Sequence, residues 1–167
     1  MITDILKNMN LFVDGRGHAG KVDEVNPPKL TLATEDHRGG GMDAPVELDM
    51  GMEKLEFDYS LSSFDKETLK LFGLAPGNQV PMTIRGALES EDGTVTPIIY
   101  NLRGQIKEVD FGSFKPGEKG QCKVMVALRY YKLTHGSDVI YEIDVEGMIR
   151  TINGVDQLAD QRSALGL

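Results

Sequence analysis

The sequence predicts a mainly-β fold: an antiparallel sandwich or barrel with one short flanking helix, a C-terminal helix and an extended arm. Three observations carry that reading. Apolar and polar residues alternate at period two along much of the chain, as half-buried antiparallel strands require. Nineteen glycines and seven prolines supply turn chemistry between those runs, and no strand–helix–strand alternation marks a parallel sheet. The stretch EDHRGGGMDAPVELDMGMEKLEF at 35–57 joins three consecutive glycines to a row of methionine and aliphatic positions, a composition that does not read as a buried element.

The elements follow in order. Short strands are predicted at 10–14, 19–25 and 29–34. LEFDYSL at 55–61 puts Leu55, Phe57, Tyr59 and Leu61 on one face of a strand and Glu56, Asp58 and Ser60 on the other. SSFDKETLKLFG predicts a lid-like helix capped by Ser62 or Ser63, with Leu69 and Phe72 turned inward and Gly73 as its stop. A strand at 80–88 is expected to break at Gly86. Segments 97–109 and 121–133 read as a long hairpin joined through DFGSFKPGEKG. Within it VMVAL is apolar on both faces, so its outer face is expected to meet another layer or another subunit. VIYEIDVE at 139–146 sets Val139, Tyr141, Ile143 and Val145 against an acidic face of Glu142, Asp144 and Glu146. NGVDQLADQRSALG predicts the last helix, capped by Asn153, with Val155, Leu158, Ala159, Arg162 and Leu165 at helical spacing and Gly166 at its end.

Length and charge narrow the function. A chain of 167 residues is expected to form one domain, 1–167, with a real core. Its net charge of −8 argues against a protein that grips nucleic acid through phosphates. Cys122 is the single cysteine, which excludes an intramolecular disulfide, suits a reducing compartment and is read as a strand residue. The N-terminus MITDILKNMN lacks the pattern of a signal peptide, and no window reaches eighteen apolar residues. Export is therefore expected only as part of a larger assembly.

Catalytic and cofactor motifs dissolve under inspection. Gly15-Arg16-Gly17-His18-Ala19-Gly20 matches the dinucleotide fingerprint formally, but the following KVDEVNPPKL leaves no room for the helix whose amides would meet a pyrophosphate. It reads as a hairpin turn after Asp14. His18, His37 and His135 lie far apart without partners at ligand spacing and read as surface or loop residues. No nucleophile elbow or zinc-protease motif is present. The expectation is a non-enzyme with no cofactor and no metal.

The glycine-rich stretch then stands out. Burying Met42, Val46, Leu48, Met50 and Met52 cannot by itself offset the entropy of ordering 36–54, so backbone pairing or a neighbour must contribute. The alternation in MDAPVELDMGM favours a neighbour. The candidate inter-subunit arm comprises Arg38, Gly39, Gly40, Gly41, Met42, Val46, Leu48, Met50 and Met52. A floppy surface loop is the plain alternative.

The segments PPKL (27–30), RGGGMDAPVELDMGMEKLE (38–56), LRGQIKEVD (102–110), YYKL (130–133), YEIDV (141–145) and NGVDQLADQRSALGL (153–167), in this order, resemble the major tail tube protein of contractile bacteriophage tails and of R-type bacteriocins. The resemblance spans essentially the whole chain. It implies a structural subunit, related in fold to the tube protein of type VI secretion systems, whose hexameric rings stack into a hollow tube. The implied partners are further copies of the chain, a contractile sheath, baseplate initiator and tail terminator proteins, and a tape measure protein in the lumen. DNA would pass without specific binding, and the subunit itself would bind no membrane. The implied location is a virion tail or tail-like particle, made and assembled in the bacterial cytoplasm. The arm at 36–54 would reach an adjacent subunit or ring, while Glu142, Asp144 and Glu146 are a candidate lumen or outer acidic face. Two alternatives stay open: a bacteriocin tube that carries no DNA, and a small β-barrel enzyme or ligand-binding domain that uses the 15–20 turn.

Overall fold

A computed structural model describes residues 1–74 and 77–167. Among these residues twelve strands and two short helices follow in chain order: β1 (Ile5–Val13), β2 (Arg16–Gly17), β3 (Val22–Asn26), β4 (Leu32–His37), β5 (Val46–Met52), β6 (Glu56–Leu61), α1 (Lys66–Leu69), β7 (Val80–Glu89), β8 (Val95–Asp110), β9 (Cys122–His135), β10 (Asp138–Asp144), β11 (Ile149–Ile152), β12 (Val155–Asp156) and α2 (Ala159–Ala164). Every pairing is antiparallel. The mainly-β architecture and the long hairpin of β8 and β9 agree with the sequence pattern.

The principal sheet runs β12-β11-β10-β9-β8-β7-β1-β2, and β6 branches from β9 to carry β3. One edge of β9 is shared: Cys122–Ala127 pairs with β6, and Tyr130–His135 pairs with β10. Although β8 and β7 separate β1 from β9 and its branch β6, Leu11 and Val13 belong to the same buried cluster as Phe57, Tyr59 and Leu61. The sheet therefore curls around one core. Val80, Met82 and Ile84 of β7 and Val124 and Val126 of β9 complete it at period-two spacing, each at most 4 % exposed. Cys122 is buried on the same face, and burial pushes its thiol pKa up.

Several elements depart from expectation. The first strands are shifted: β1 begins at Ile5, the 19–25 segment divides between the turn and β3, and β4 starts at Leu32. β7 is unbroken, because Gly86 stays in register between Met9 and Ile98. A Cβ there would lie 2.8 Å from Ile98 Cγ2 and 2.9 Å from Leu6 Cδ1, so the glycine admits its neighbours' side chains rather than ending the strand.

The first helix is one turn, capped by Asp65 instead of Ser62 or Ser63. Its carboxylate accepts from Thr68 N at 3.2 Å and Thr68 Oγ1 at 2.6 Å. Leu69 packs partly against the core, but Phe72 is 52 % exposed rather than inward. At the C-terminus Asn153-Gly154 is a hairpin turn, with φ of 51° and 80°, joining β11 to β12. The dipeptide competes successfully with helix capping, so α2 starts five residues later than predicted, at Ala159, with no side-chain cap. β10 likewise stops at Asp144, which leaves Val145 57 % exposed in the following turn.

The Gly15–Gly20 segment forms the anticipated hairpin turn. Asp14 and Gly15 take φ of 51° and 78°, and β2 pairs back on β1. His18 departs from its surface assignment: it is 2 % exposed, and its backbone N–H donates to Leu11 O at 2.9 Å. His37 is exposed on β4 and His135 is partly buried at the end of β9.

Candidate assembly surfaces

Alternation in VELDMGM makes 46–52 a strand, and it finds its partner locally. Among the described residues β4 and β5 form a separate two-stranded hairpin that pairs with no other strand. The stretch expected to stay loose or await a neighbour is thus paired within the chain. The glycines and Met42 close its tip: Arg38 Nε donates to Met42 O at 3.1 Å, and Met42 N donates to Gly39 O at 3.2 Å. Gly41 occupies the left-handed region there, with φ of 84°.

Opposed residues of an antiparallel pair share a face. His37 opposite Val46 and Glu35 opposite Leu48 define an apolar-centred face, while Asp36 opposite Glu47 and Thr34 opposite Asp49 define an acidic one. A register shift between Leu32 and Thr34, facing Met50 and Gly51, ends this alternation. Val46, Leu48 and Met50 remain 46 %, 45 % and 60 % exposed. Only the base is seated: Met52 packs against the core, and Glu53 N donates to Thr31 O at 2.8 Å. Beneath that base lies an apolar recess of about 320 Å³, lined in part by Met52, Leu55, Leu128, Ile143 and Leu158.

The acidic trio is not a bare face. Glu142 accepts from Tyr130 OH at 3.1 Å, Asp144 accepts from Gly147 N at 3.0 Å, and Glu146 pairs with Arg129 at 2.6 Å. Arg103 stacks 4.1 Å above the Tyr130 ring. Asp144 and Glu146 line one polar surface pocket with Arg103 and Arg129, so charges of both signs meet there.

A third surface escaped the sequence reading. Phe64 lies 6.1 Å from Phe111 and 5.7 Å edge-on from Phe114, centroid to centroid, and the three are 44 %, 44 % and 76 % exposed. Two phenylalanines within the turn-rich DFGSF segment were the available signal, since loops seldom expose such side chains without a use.

Among the described residues no group of three His, Cys, Asp or Glu side chains could hold a metal ion, and no helix is long and apolar enough to cross a membrane. What the molecule presents is an arm and a set of unpartnered apolar surfaces.

The profile of the phage tail tube protein FII family matches residues 3–166. The chain belongs to that family. Among curated tail tube proteins it is 36 % identical over 166 residues to the tail tube protein of Escherichia phage P2, covering 97 % of this chain and 96 % of that one. It is 32 % identical over 165 residues to the major tail tube protein of Serratia phage KSP20, covering 97 % and 95 %. Among solved structures, a chain of the extended sheath–tube complex of an extracellular contractile injection system superposes with a TM-score of 0.58 at 12 % identity, over 76 % of this chain and 88 % of that one. At that identity the likeness establishes a shared fold. Its role is structural: a subunit of the tube of a phage tail. The family explains why unpartnered apolar surface is the feature to follow.

Proposed function

We propose that the chain forms one tube domain, 1–167, without catalytic activity, whose copies close into hexameric rings and stack into a hollow conduit. In this reading the arm is the connector between copies, and the conduit lies inside a contractile sheath, ends at baseplate initiator and terminator proteins, and holds a tape measure protein before genome passage. The two relatives from phages favour a genome-carrying tail over a bacteriocin particle. A net charge of −8 suits passage of DNA without adhesion. Structural neighbours that come from a sheath–tube complex, a sheath/tube terminator and a baseplate support these partners. The tube is assembled in the bacterial cytoplasm and resides in the virion tail.

The single observation that carries the connector role is the arm's uncovered face, Val46, Leu48 and Met50 at 46 %, 45 % and 60 % exposed on a hairpin paired only with itself. Covering the exposed halves of these side chains contributes roughly 2–4 kcal/mol per subunit. That corresponds to an affinity of about 1–30 mM for one contact, too weak for an isolated pair yet effective once the several arms of a ring engage together. The test replaces all three with serine in the full chain and compares tubes by negative-stain electron microscopy and mass by light scattering. A folded subunit that makes no tubes is expected; tubes of normal length and number would overturn the connector role.

A further inference from the structure

The arm and the phenylalanine patch lie at opposite ends of the same strand. β6 begins at Glu56, opposite Ala127, just after the arm returns through Glu53–Leu55. It ends at Leu61, opposite Cys122, three residues before Phe64. Phe111 directly follows Asp110, which pairs with Lys123 at that same end. Six residues of strand separate the ends by roughly 20 Å. Two different apolar surfaces at opposite ends let each copy offer one surface to the copy before it and the other to the copy after it. They fit a head-to-tail contact that repeats without closing on itself.

Shape and charge agree. Phe64 and Phe114 wall an open recess rimmed by Lys115 and Glu118. Gly120 underlies it, since a Cβ there would meet the Phe64 ring at 3.1 Å, so the bare backbone lets that ring lie across the loop. The 111–121 loop carries two lysines against one glutamate, whereas 32–52 carries five carboxylates against one arginine. Lys66 and Lys115 enter none of the ion pairs among the described residues. Glu35, paired with Leu48 on the apolar face of the arm, thus has complementary charge at the patch, and the arm's overall negative balance matches it.

We propose that the patch of Phe64, Phe111 and Phe114 receives the arm of the next copy along the stack, with Val46, Leu48 and Met50 seated on the rings and Glu35, which shares the face of Val46 and Leu48, beside Lys66 and Lys115. This assignment rests on the arm being a connector and names the surface it reaches.

Cysteine cross-linking in assembled full-length chains tests it, with native Cys122 silent because it is 1 % exposed. Leu48→Cys and Phe114→Cys fall on exposed side chains, so folding is retained, as melting curves would verify. Under mild oxidation, a chain bearing both changes is expected to give a ladder of linked dimers, trimers and higher multiples, while an equal mixture of the single variants stops at dimers. Tubes that assemble but give no ladder would overturn the assignment. A dimer formed by Phe114→Cys alone would also overturn it, as loops would then meet loops. A dimer formed by Leu48→Cys alone, arm to arm, would reject this assignment while keeping the arm as connector. Normal tubes from the Val46, Leu48 and Met50 serine variant would remove both.

Discussion

Arg150 on β11 holds Asp49 on β5, with Nη2 2.9 Å from Oδ2, and among the described residues no other ion pair joins the β4–β5 hairpin to the body. The arginine side chain is 14 % exposed and the carboxylate 41 %, so the anchor is fixed and the arm is the part that can leave. The Gly51 N–H first, and the Arg150 guanidinium second, hold the Asp49 carboxyl below the usual carboxylate range. A single charged tether on a half-exposed hairpin is a weak link by design of its surroundings, since surface pairs contribute little to stability.

Arg150→Ala is therefore expected to leave the melting temperature within a few degrees yet speed amide exchange across Leu32–His37 and Val46–Met52. Because the folded pKa of Asp49 is depressed, the tether is present above the ordinary value of about 3.9 and is lost as pH falls through the lower folded value. Exchange measured by mass spectrometry should differ between the two proteins at neutral pH and converge in strong acid.

Gly104 sits at a register shift between β8 and β9, where a Cβ would lie 2.1 Å from the carbonyl oxygen of Ala127. That obstacle is backbone and cannot rotate away. Gly104→Ala should cost about 3 kcal/mol, lowering the melting temperature by roughly 6–12 °C. Gly40→Ala, with nothing within 4 Å of the added atom, should leave thermal unfolding unchanged and serves as the control.

Neighbouring residues of β9 should respond oppositely to charge. Val126 is fully buried, and Val126→Asp strands a carboxylate in the core at a cost of about 3–5 kcal/mol; the variant should be insoluble or melt at least about 10 °C lower. Met125 faces outward, half-buried, opposite Asp58 and Glu108. Met125→Lys should cost less than about 1 kcal/mol, because the stem can cover the surface while the ammonium meets those acids. Equal melting losses for both would mean the faces are misassigned.

His18 makes the fold sensitive to mild acid. Burial lowers its pKa from 6.5, Asp65 opposes that shift from 3.8 Å, and Arg16 and Lys21 reinforce it. Neither ring nitrogen has a hydrogen-bond partner. With the folded pKa below the unfolded one, the unfolded chain takes the proton first. Stability is thus fully present above about 6.5 and declines as pH falls through the folded value. Comparing melting at pH 8 and pH 5, the wild type should lose stability that His18→Leu does not lose; parallel losses would exclude the histidine as the source.

Strand identity was legible wherever one face is buried and the other wet. Phe57, Tyr59 and Leu61 declared their face by period alone because a one-residue slip would expose all three. The arm was legible as an oddity for the converse reason, since its apolar positions have no counterpart within the chain to bury them. The helices were misjudged where two local signals competed. Asn153-Gly154 reads as either a cap or a tight turn, and the choice depended on whether Ile149–Ile152 found a strand to pair with. Asp65 caps α1 because Arg16 and His18, nearly fifty residues earlier, converge on its carboxylate.

The sequence by itself determined the period-two elements, the turns between them, the acidic balance and the presence of an arm, because each depends on residues near one another in the chain. Only the tertiary structure decided that the arm pairs with itself and is tethered by Arg150, that His18 is buried, and that Phe64 joins Phe111 and Phe114 in one patch. These depend on contacts between distant segments, whose geometry is fixed by how the sheet curls around its core and leaves no local trace in residue order.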